Sequence, residues 1–560
     1  MRTRNGEAIA AGILAAVLVA LAALRATFGI SFLDDGYYVA VPLRLATGAR
    51  AFVDESTLQV LGSLVAVPFT AVWHAVFGVS GIVLASRLFY VALAATVGYL
   101  VVRALRPTLG PLIPLVAVAA VILAPPYNVL NVSYNTTAQL MFTLSVSLVF
   151  SARRDGSRLA AAGAGACAVV GSLAYPPLGL AAIATAIPAL VILRDRRLWL
   201  WLLVGGGTVL GAVAIWLLAT ASAGDLLAGL QYALQGGSGK SVVVGDKVAA
   251  AGHDVARVIR KRAWWPAMAL AVFVAAPLAS VRVRAWAAAV LPAVVAIRGG
   301  LALLRDVPKT FGLSVLSYLL AFTVALLPLA VMALRRSSKD EDGVERLLIL
   351  GGTFAAVAVP TVLVVTNSGF FRGMSGVGAA PLALAVIMCW LLFIRESAGR
   401  RVMWFAMVAL LAIQLFLLFA VPYKDDALLR LDHRITTGAA AGILTTDERA
   451  ASIAQLEQGL RTVVRPDSTV LIMSAPLAYL LTDAEPLTNV TWVPLGEKNR
   501  AVLDYYRRIG RTPDIVVLSR GLMSKDDDAV PADPTDAVLA WVTANYTPSV
   551  RAGYVIMTRR

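Results

Sequence analysis

Apolar positions in this chain fall into blocks, not into the alternating or one-faced stripes of a soluble fold. The blocks run at about 8–30, 58–77, 82–102, 109–127, 134–152, 159–175, 178–193, 198–222, 264–281, 285–304, 311–334, 347–366, 377–394 and 402–423. Blocks near 20 residues match the hydrocarbon thickness of a bilayer, about 30 Å at 1.5 Å per helical residue. The pattern predicts a polytopic α-helical membrane protein over residues 1–423. From Lys424 the character changes. Ser468–Met473, Asp514–Leu518 and Tyr554–Thr558 read as strands, and Ala475–Leu481 is helix-like, so 424–560 is predicted to be a small α/β domain.

Composition agrees: 59% of residues are hydrophobic and only 15% charged, against about 25% charged in soluble domains. This excludes a soluble enzyme, a disordered scaffold and a fibrous chain. The net charge of +16 could suggest a nucleic-acid partner. The first 423 residues, however, carry 33 Lys and Arg against 16 Asp and Glu, and the last 137 carry 16 against 17. The excess therefore belongs to the membrane part, where loop cations set orientation, and no nucleic-acid partner is expected. Cys167 and Cys389 lie inside apolar blocks, and the three histidines are scattered. Neither pattern predicts a metal or disulfide framework. The first block exceeds a signal-peptide core and is read as an uncleaved anchor.

Parity decides the topology. If block 58–77, with Asp54-Glu55 before it and Pro68, Trp73 and His74 within it, does not cross, nineteen loop cations fall on the N-terminal side. The short loops of the opposite side then hold six. The expected layout is about thirteen spans, N-terminus inside and C-terminus outside, with 58–77 as an interfacial helix in the first outer loop (31–81). A long outer loop covers 223–263, and the C-terminal domain is extracytoplasmic. The lipid bilayer is itself a partner, and the site is placed at the plasma membrane.

The candidate chemistry opens that first loop: Leu33-Asp34-Asp35-Gly36-Tyr37-Tyr38. Adjacent carboxylates repel, so they call for a cation, a donor or a function. The residues alone leave open a helix cap with solvated charge and an interfacial aromatic belt. The motif, just beyond the first span, resembles that of GT-C class membrane glycosyltransferases, which include protein O-mannosyltransferases, aminoarabinose transferases and arabinofuranosyltransferases. Leu45-Ala46-Thr47-Gly48, Phe77-Gly78-Val79-Ser80, Ser86-Arg87-Leu88 and Ala124-Pro125-Pro126-Tyr127 follow in the same order as that class's motifs.

The resemblance implies transfer of a sugar, such as arabinose, mannose or glucose, from a polyprenyl-phosphate-linked donor. The acceptor would be a glycan or glycolipid of the cell wall or surface polysaccharide. Asp34 or Asp35 would be the general base. Lys240, Lys247 and Arg372 would meet the donor phosphate, with Arg257, Arg260, Lys261 and Arg262 as a further option or a headgroup anchor beside Trp264-Trp265. Tyr37, Tyr38, Asp54, Glu55, Tyr134 and Asn135 would bind sugar or acceptor. Some relatives hold a divalent cation (Mg, Mn or Ca) with a second carboxylate between spans three and four. Here residues 125–137 contain none and offer Asn128, Asn131, Tyr134 and Asn135, so any metal would rest on Asp34 and Asp35.

Arg25 and Arg298 sit inside apolar blocks and must snorkel or face a cavity; Arg25 could also pair with the acidic motif or a donor phosphate. Gly239-Lys240-Ser241 lacks the first glycine and the preceding strand of a phosphate-binding loop. The remaining alternatives are a transporter or flippase of a lipid-linked saccharide, or a non-catalytic assembly protein. Neither needs a base at positions 34 and 35.

Overall fold

The computed structural model describes residues 2–57, 59–236, 343–365, 374–420, 422, 424–465, 467–493, 500–519, 536–551 and 554–560, with isolated positions between 245 and 327. The blocks at 264–281, 285–304 and 311–334 lie outside the described residues except for isolated positions, and Arg298 and the cluster from Arg257 to Trp265 lie wholly outside them.

The membrane part comprises α1 (Arg2–Ala26), α2 (Asp34–Ala46), α3 (Val67–Phe77), α4 (Ile82–Leu109), α5 (Leu112–Ile122), α6 (Tyr134–Asp155), α7 (Arg158–Ala174), α8 (Gly179–Leu193), α9 (Arg196–Thr220), α10 (Ala223–Gly236), α11 (Val344–Val365), α12 (Met374–Ala398) and α13 (Arg400–Ala420). Among the described residues seven helical stretches are long and apolar enough to cross a membrane, within α1, α4, α8, α9, α11, α12 and α13. The expected thirteen spans thus have seven candidates here. Block 58–77 forms a single turn at Val60–Ser63 and the 11-residue α3, about 16 Å of helix and too short to cross. Block 109–127, expected to cross, also holds only an 11-residue helix, because Pro111 caps one end and Pro125-Pro126 block the other.

Burial separates the helices by environment. In α12, 94% of the most apolar window is buried, against 6% in α9. Both are apolar all round. The first is therefore a core helix, packed with α5, α6, α11 and α13. The second presents Leu203, Leu210, Ile215 and Leu218 outward, a surface suited to lipid and not to water.

The α/β domain follows. β1 (His433–Arg434) pairs with β2 (Leu444–Thr445), and α14 (Asp447–Val463), capped by Thr446, leads into the sheet. That sheet has β3 (Thr469–Met473), β4 (Glu485–Pro486), β5 (Ile515–Ser519), β6 (Tyr546–Arg551) and β7 (Tyr554–Arg559), ordered β4-β3-β5-β7-β6. β3 runs parallel to β4 and β5, while β7 is antiparallel to β5 and β6. Alternation along β3 sends Val470 and Ile472 to one face and Leu471 and Met473 to the other. The second face is covered by α15 (Arg500–Ile509) and α16 (Ala537–Asn545). The first packs with α14, with Ile30 just after α1 and with Val39 and Ala40 of α2. The domain thereby forms one wall of the acidic motif's surroundings.

Three further seams join the two parts. Gly29 N–H donates to Leu444 O (2.8 Å) and Leu444 N–H to Thr27 O (2.7 Å); Leu477 N–H donates to Phe32 O (3.0 Å); Gly81 and Val83 N–H donate to Gly438 and Ala439 carbonyls. Gly36 explains itself here, since a Cβ on it would stand 2.1 Å from the Leu477 nitrogen. Only a residue without a side chain lets α2 approach the domain this closely.

Candidate active site

α2 begins at Asp34, so the two carboxylates occupy its first turn, where the helix dipole favours negative charge. Neither caps the helix conventionally. Successive helical side chains point about 100° apart, and the two aspartates engage different cations. Asp35 is 2% exposed; its Oδ2 accepts from Ser31 N–H (2.9 Å) and pairs with Arg87 Nη2 (3.0 Å). Its Oδ1 is buried with no hydrogen-bond partner. Asp35 also lines a small cavity of about 10 Å³ with Arg25, Arg87, Gly29 and Asn128, enough for one water. Asp34, also buried, faces a different pair of groups: Lys424 Nζ stands 3.6 Å from Oδ2, and Tyr38 OH is 3.5 Å from Oδ1.

The cations beneath are firmly engaged. Arg87 Nη1 donates to Ala26 O (2.9 Å) and Nη2 to Gly29 O (2.7 Å). Arg25 neither snorkels nor bonds Asp34: it is 3% exposed, with Nε on Leu418 O (2.8 Å) and Nη1 on Phe28 O (2.7 Å), tying α1 to α13. Burial draws the Lys424 ammonium below the usual lysine range, with Asp34 opposing the shift.

Aromatic rings form a wall beside Asp34. Tyr37 and Tyr38 meet at 5.7 Å between centroids, Tyr37 and Trp492 at 5.8 Å, Tyr38 and Tyr134 at 6.1 Å, and Tyr134 and Tyr175 at 5.5 Å. Tyr134 and the buried Asn135 open α6. Its start is fixed by a capping box in which Ser133 Oγ accepts from Thr136 N–H while Thr136 Oγ1 accepts from Ser133 N–H. Just before it, Tyr127 and Asn128 both adopt left-handed backbone (φ 57° and 56°). For a tyrosine this is strain of about 1–3 kcal/mol, of a kind that clusters at functional sites.

Asp54 and Glu55 do different jobs. Asp54 pairs with Arg50 at the surface (3.0 Å). Glu55 is fully buried; Oε2 accepts from Arg44 Nη1 (2.9 Å), Thr491 N–H (2.8 Å) and Thr491 Oγ1 (2.5 Å), and Oε1 from Thr57 (3.3 Å). Arg44 also donates to the Asp54 and Thr488 carbonyls. Burial pushes the Glu55 carboxyl up despite Arg44. Tyr37 joins this network through Thr57 (3.2 Å).

The structure thus brings together Asp34, Asp35, Tyr37, Tyr38, Tyr134 and Asn135. Lys240, Lys247 and Arg372 lie outside the described residues. Among the described residues no three His, Cys, Asp or Glu side chains gather to hold a metal ion, and each motif aspartate already faces a cation, a poor fit to a divalent ion. Lys424, Trp492 and Tyr175 were not anticipated. Arg87 carried a signal in the sequence, as a charge inside an apolar block, and so did Lys424, as the first charge after one.

No family model matches the chain, and no curated protein matches it. Among solved structures it is similar to ArnT from Cupriavidus metallidurans. Against ArnT bound to undecaprenyl phosphate the TM-score is 0.39 at 12% identity, and against the apo state 0.41 at 14%. Each match covers 99% of this chain and 98% of the other.

Proposed function

We propose that this multi-pass membrane protein is a glycosyltransferase that moves a sugar from a polyprenyl-phosphate carrier to a hydroxyl of a cell-envelope glycan or glycolipid. The reaction takes place at the outer face of the membrane. The observation that carries the reading is the unequal treatment of two neighbouring carboxylates. Both are buried; Asp35 is pinned by Ser31 and Arg87 at 2.9 and 3.0 Å, whereas Asp34 faces Lys424 at 3.6 Å and the Tyr38 hydroxyl at 3.5 Å and adjoins an aromatic wall.

In this reading Asp34 is the base. It takes the acceptor proton as the acceptor oxygen attacks the anomeric carbon from the face opposite the phosphate, a single displacement that inverts configuration. The carrier phosphate departs with the bonding electron pair and needs no general acid. Tyr37, Tyr38, Tyr134 and Trp492 offer ring faces to the sugar, and Asn135 an amide. Lys240, Lys247 and Arg372 remain proposed phosphate contacts. Asp35 and Arg87 hold the loop that presents Asp34.

The test is sugar transfer by purified protein in lipid, from a panel of labelled polyprenyl-phosphate sugars to an envelope glycan extract. Asp34→Asn is expected to lower transfer by about 10²–10⁴, the usual contribution of a general base, with thermal unfolding unchanged. Full activity in Asp34→Asn would remove the base from the mechanism.

A further inference from the structure

We propose that a cavity beside the seam between the α3–α4 turn and the α/β domain is a binding site for a neutral oligosaccharide. The cavity measures about 270 Å³. One water needs only about 10–15 Å³, and ligand clefts begin near about 300 Å³. It lies where two structural units meet, a preferred place for such clefts. The turn contributes Ser80, α14 contributes Glu457 and Arg461, and Thr482-Asp483 follow the short helical turn Pro476–Leu480. The site goes beyond the transferase reading, because it binds sugar whether or not Asp34 is a base.

The walls are built in advance. The Trp73 indole N–H donates to Ser80 O (3.0 Å) and Gly81 N–H to Gly438 O (3.0 Å), which fixes the turn against the domain. Glu457 Oε1 accepts from Arg461 Nη2 (2.7 Å), so a carboxylate and a guanidinium sit side by side on α14. Gly438, in left-handed backbone (φ 75°), leaves that carboxylate uncovered, since a Cβ there would stand 3.0 Å from Glu457 Oε2. Thr482 Oγ1 accepts from Ala484 N–H (3.1 Å), which orients its hydroxyl.

Charge decides the class of ligand. Glu457 and Asp483 against Arg461 leave the lining with one net negative charge, so a phosphate, sulfate or uronate meets repulsion. An ammonium finds Glu457 already paired with Arg461 and Asp483 exposed to water, where an ion pair contributes little. A sugar suits this lining. Its hydroxyls donate to the carboxylates, its oxygens accept from Arg461, Ser80 and Thr482, and its C–H faces meet Val79, Val464, Leu480 and Leu481. Position adds a role. Leu477 N–H bonds Phe32 O and abuts Gly36, and Leu480 of the cavity wall lies three residues on, about 6 Å of 3₁₀ rise. A glycan gripped here is held near the loop that carries Asp34. In a transferase, binding energy from such non-reacting units can be spent at the reacting end.

The test is calorimetric titration of the full-length protein in nanodiscs with neutral di- to hexasaccharides of glucose, mannose, galactose and arabinose. Oligogalacturonate and phosphoethanolamine serve as the charged probes. At least one neutral series should bind, and its affinity should change less than about twofold when salt is raised about tenfold, since no ion pair forms. Asp483→Ala removes an acceptor and Ser80→Phe fills the cavity, both at exposed positions. Each should weaken binding about tenfold or more with Tm unchanged, and two independent positions guard against misfolding of one. No binding by any neutral series, preference for a charged probe, or undiminished binding in either variant overturns the site. Sugar transfer by the same preparation reports separately on the transferase, which each of these results leaves standing.

Discussion

Glu55–Arg44 and Asp35–Arg87 are buried ion pairs that both involve α2, with separations of 2.9 and 3.0 Å. Their surroundings differ. Glu55 has both oxygens occupied, and three of its donors come from Thr491 and Arg44. Asp35 has one oxygen occupied twice and the other bare, beside a cavity of about 10 Å³. A saturated network rigidifies, and its worth lies in the joint it makes between loop and α/β domain. A bare buried acceptor asks for a reason, and in the function proposed above that reason is the neighbouring Asp34, which the pair would position. On that proposal two pairs of nearly the same length and chemistry divide into a staple and a support for chemistry.

The largest effect that would sharpen this contrast is on stability. Arg44→Met leaves the Glu55 carboxylate buried without its cation and should cost about 3–5 kcal/mol, read by denaturation in detergent. Replacing both partners, Arg44→Met with Glu55→Leu, should recover most of it. Transfer per folded molecule should stay within about twofold. A loss of rate in the refolded double variant would place Glu55 at the acceptor after all.

Asp35→Asn should act the other way. It leaves Arg87 unneutralised one residue from Asp34, which lowers the proton affinity of the base. One pKa unit is about tenfold in rate, so a loss of about 10–100-fold per folded molecule is expected, where Glu55→Gln loses almost none. Equal rates for the two variants would erase the distinction. Gly36→Ala comes next. Its methyl group would overlap the Leu477 nitrogen, and the overpacking should cost about 1–3 kcal/mol. Limited proteolysis near residues 424–432 should then speed up as α2 backs away from the domain.

Much of this was legible in the sequence, and the limits have physical causes. The apolar blocks announced helices because a bilayer leaves every backbone group to be satisfied within its own segment. The strands at Thr469–Met473, Ile515–Ser519 and Tyr554–Arg559 announced themselves by β-branched runs. Asp34, Asp35, Tyr37 and Tyr38 stood out because four chemically pointed residues fell within five positions. Block length misled at α5, where prolines at both ends shorten the helix inside an unbroken apolar run. Glu55 looked like a ligand because its partner Thr491 lies 436 residues away. Trp492 reaches the site only through the docking of the α/β domain, which no local pattern encodes.

The smallest predicted effect is a shift in pH dependence, and it bears on the cation instead of the carboxylates. Burial holds the Lys424 ammonium below its ordinary 10.5, with Asp34 only partly restoring it. The fold therefore favours the neutral amine: that contribution is present above 10.5 and is lost as pH falls through the lowered value, so at neutral pH the charged lysine is a burden on stability. Lys424→Met should consequently match or slightly exceed wild type in Tm at neutral pH, and the difference should shrink as pH rises toward 10.5, where the wild-type amine loses its charge. A clear loss of Tm in Lys424→Met at neutral pH would mean that what the ammonium gains from Asp34 outweighs the cost of burying it.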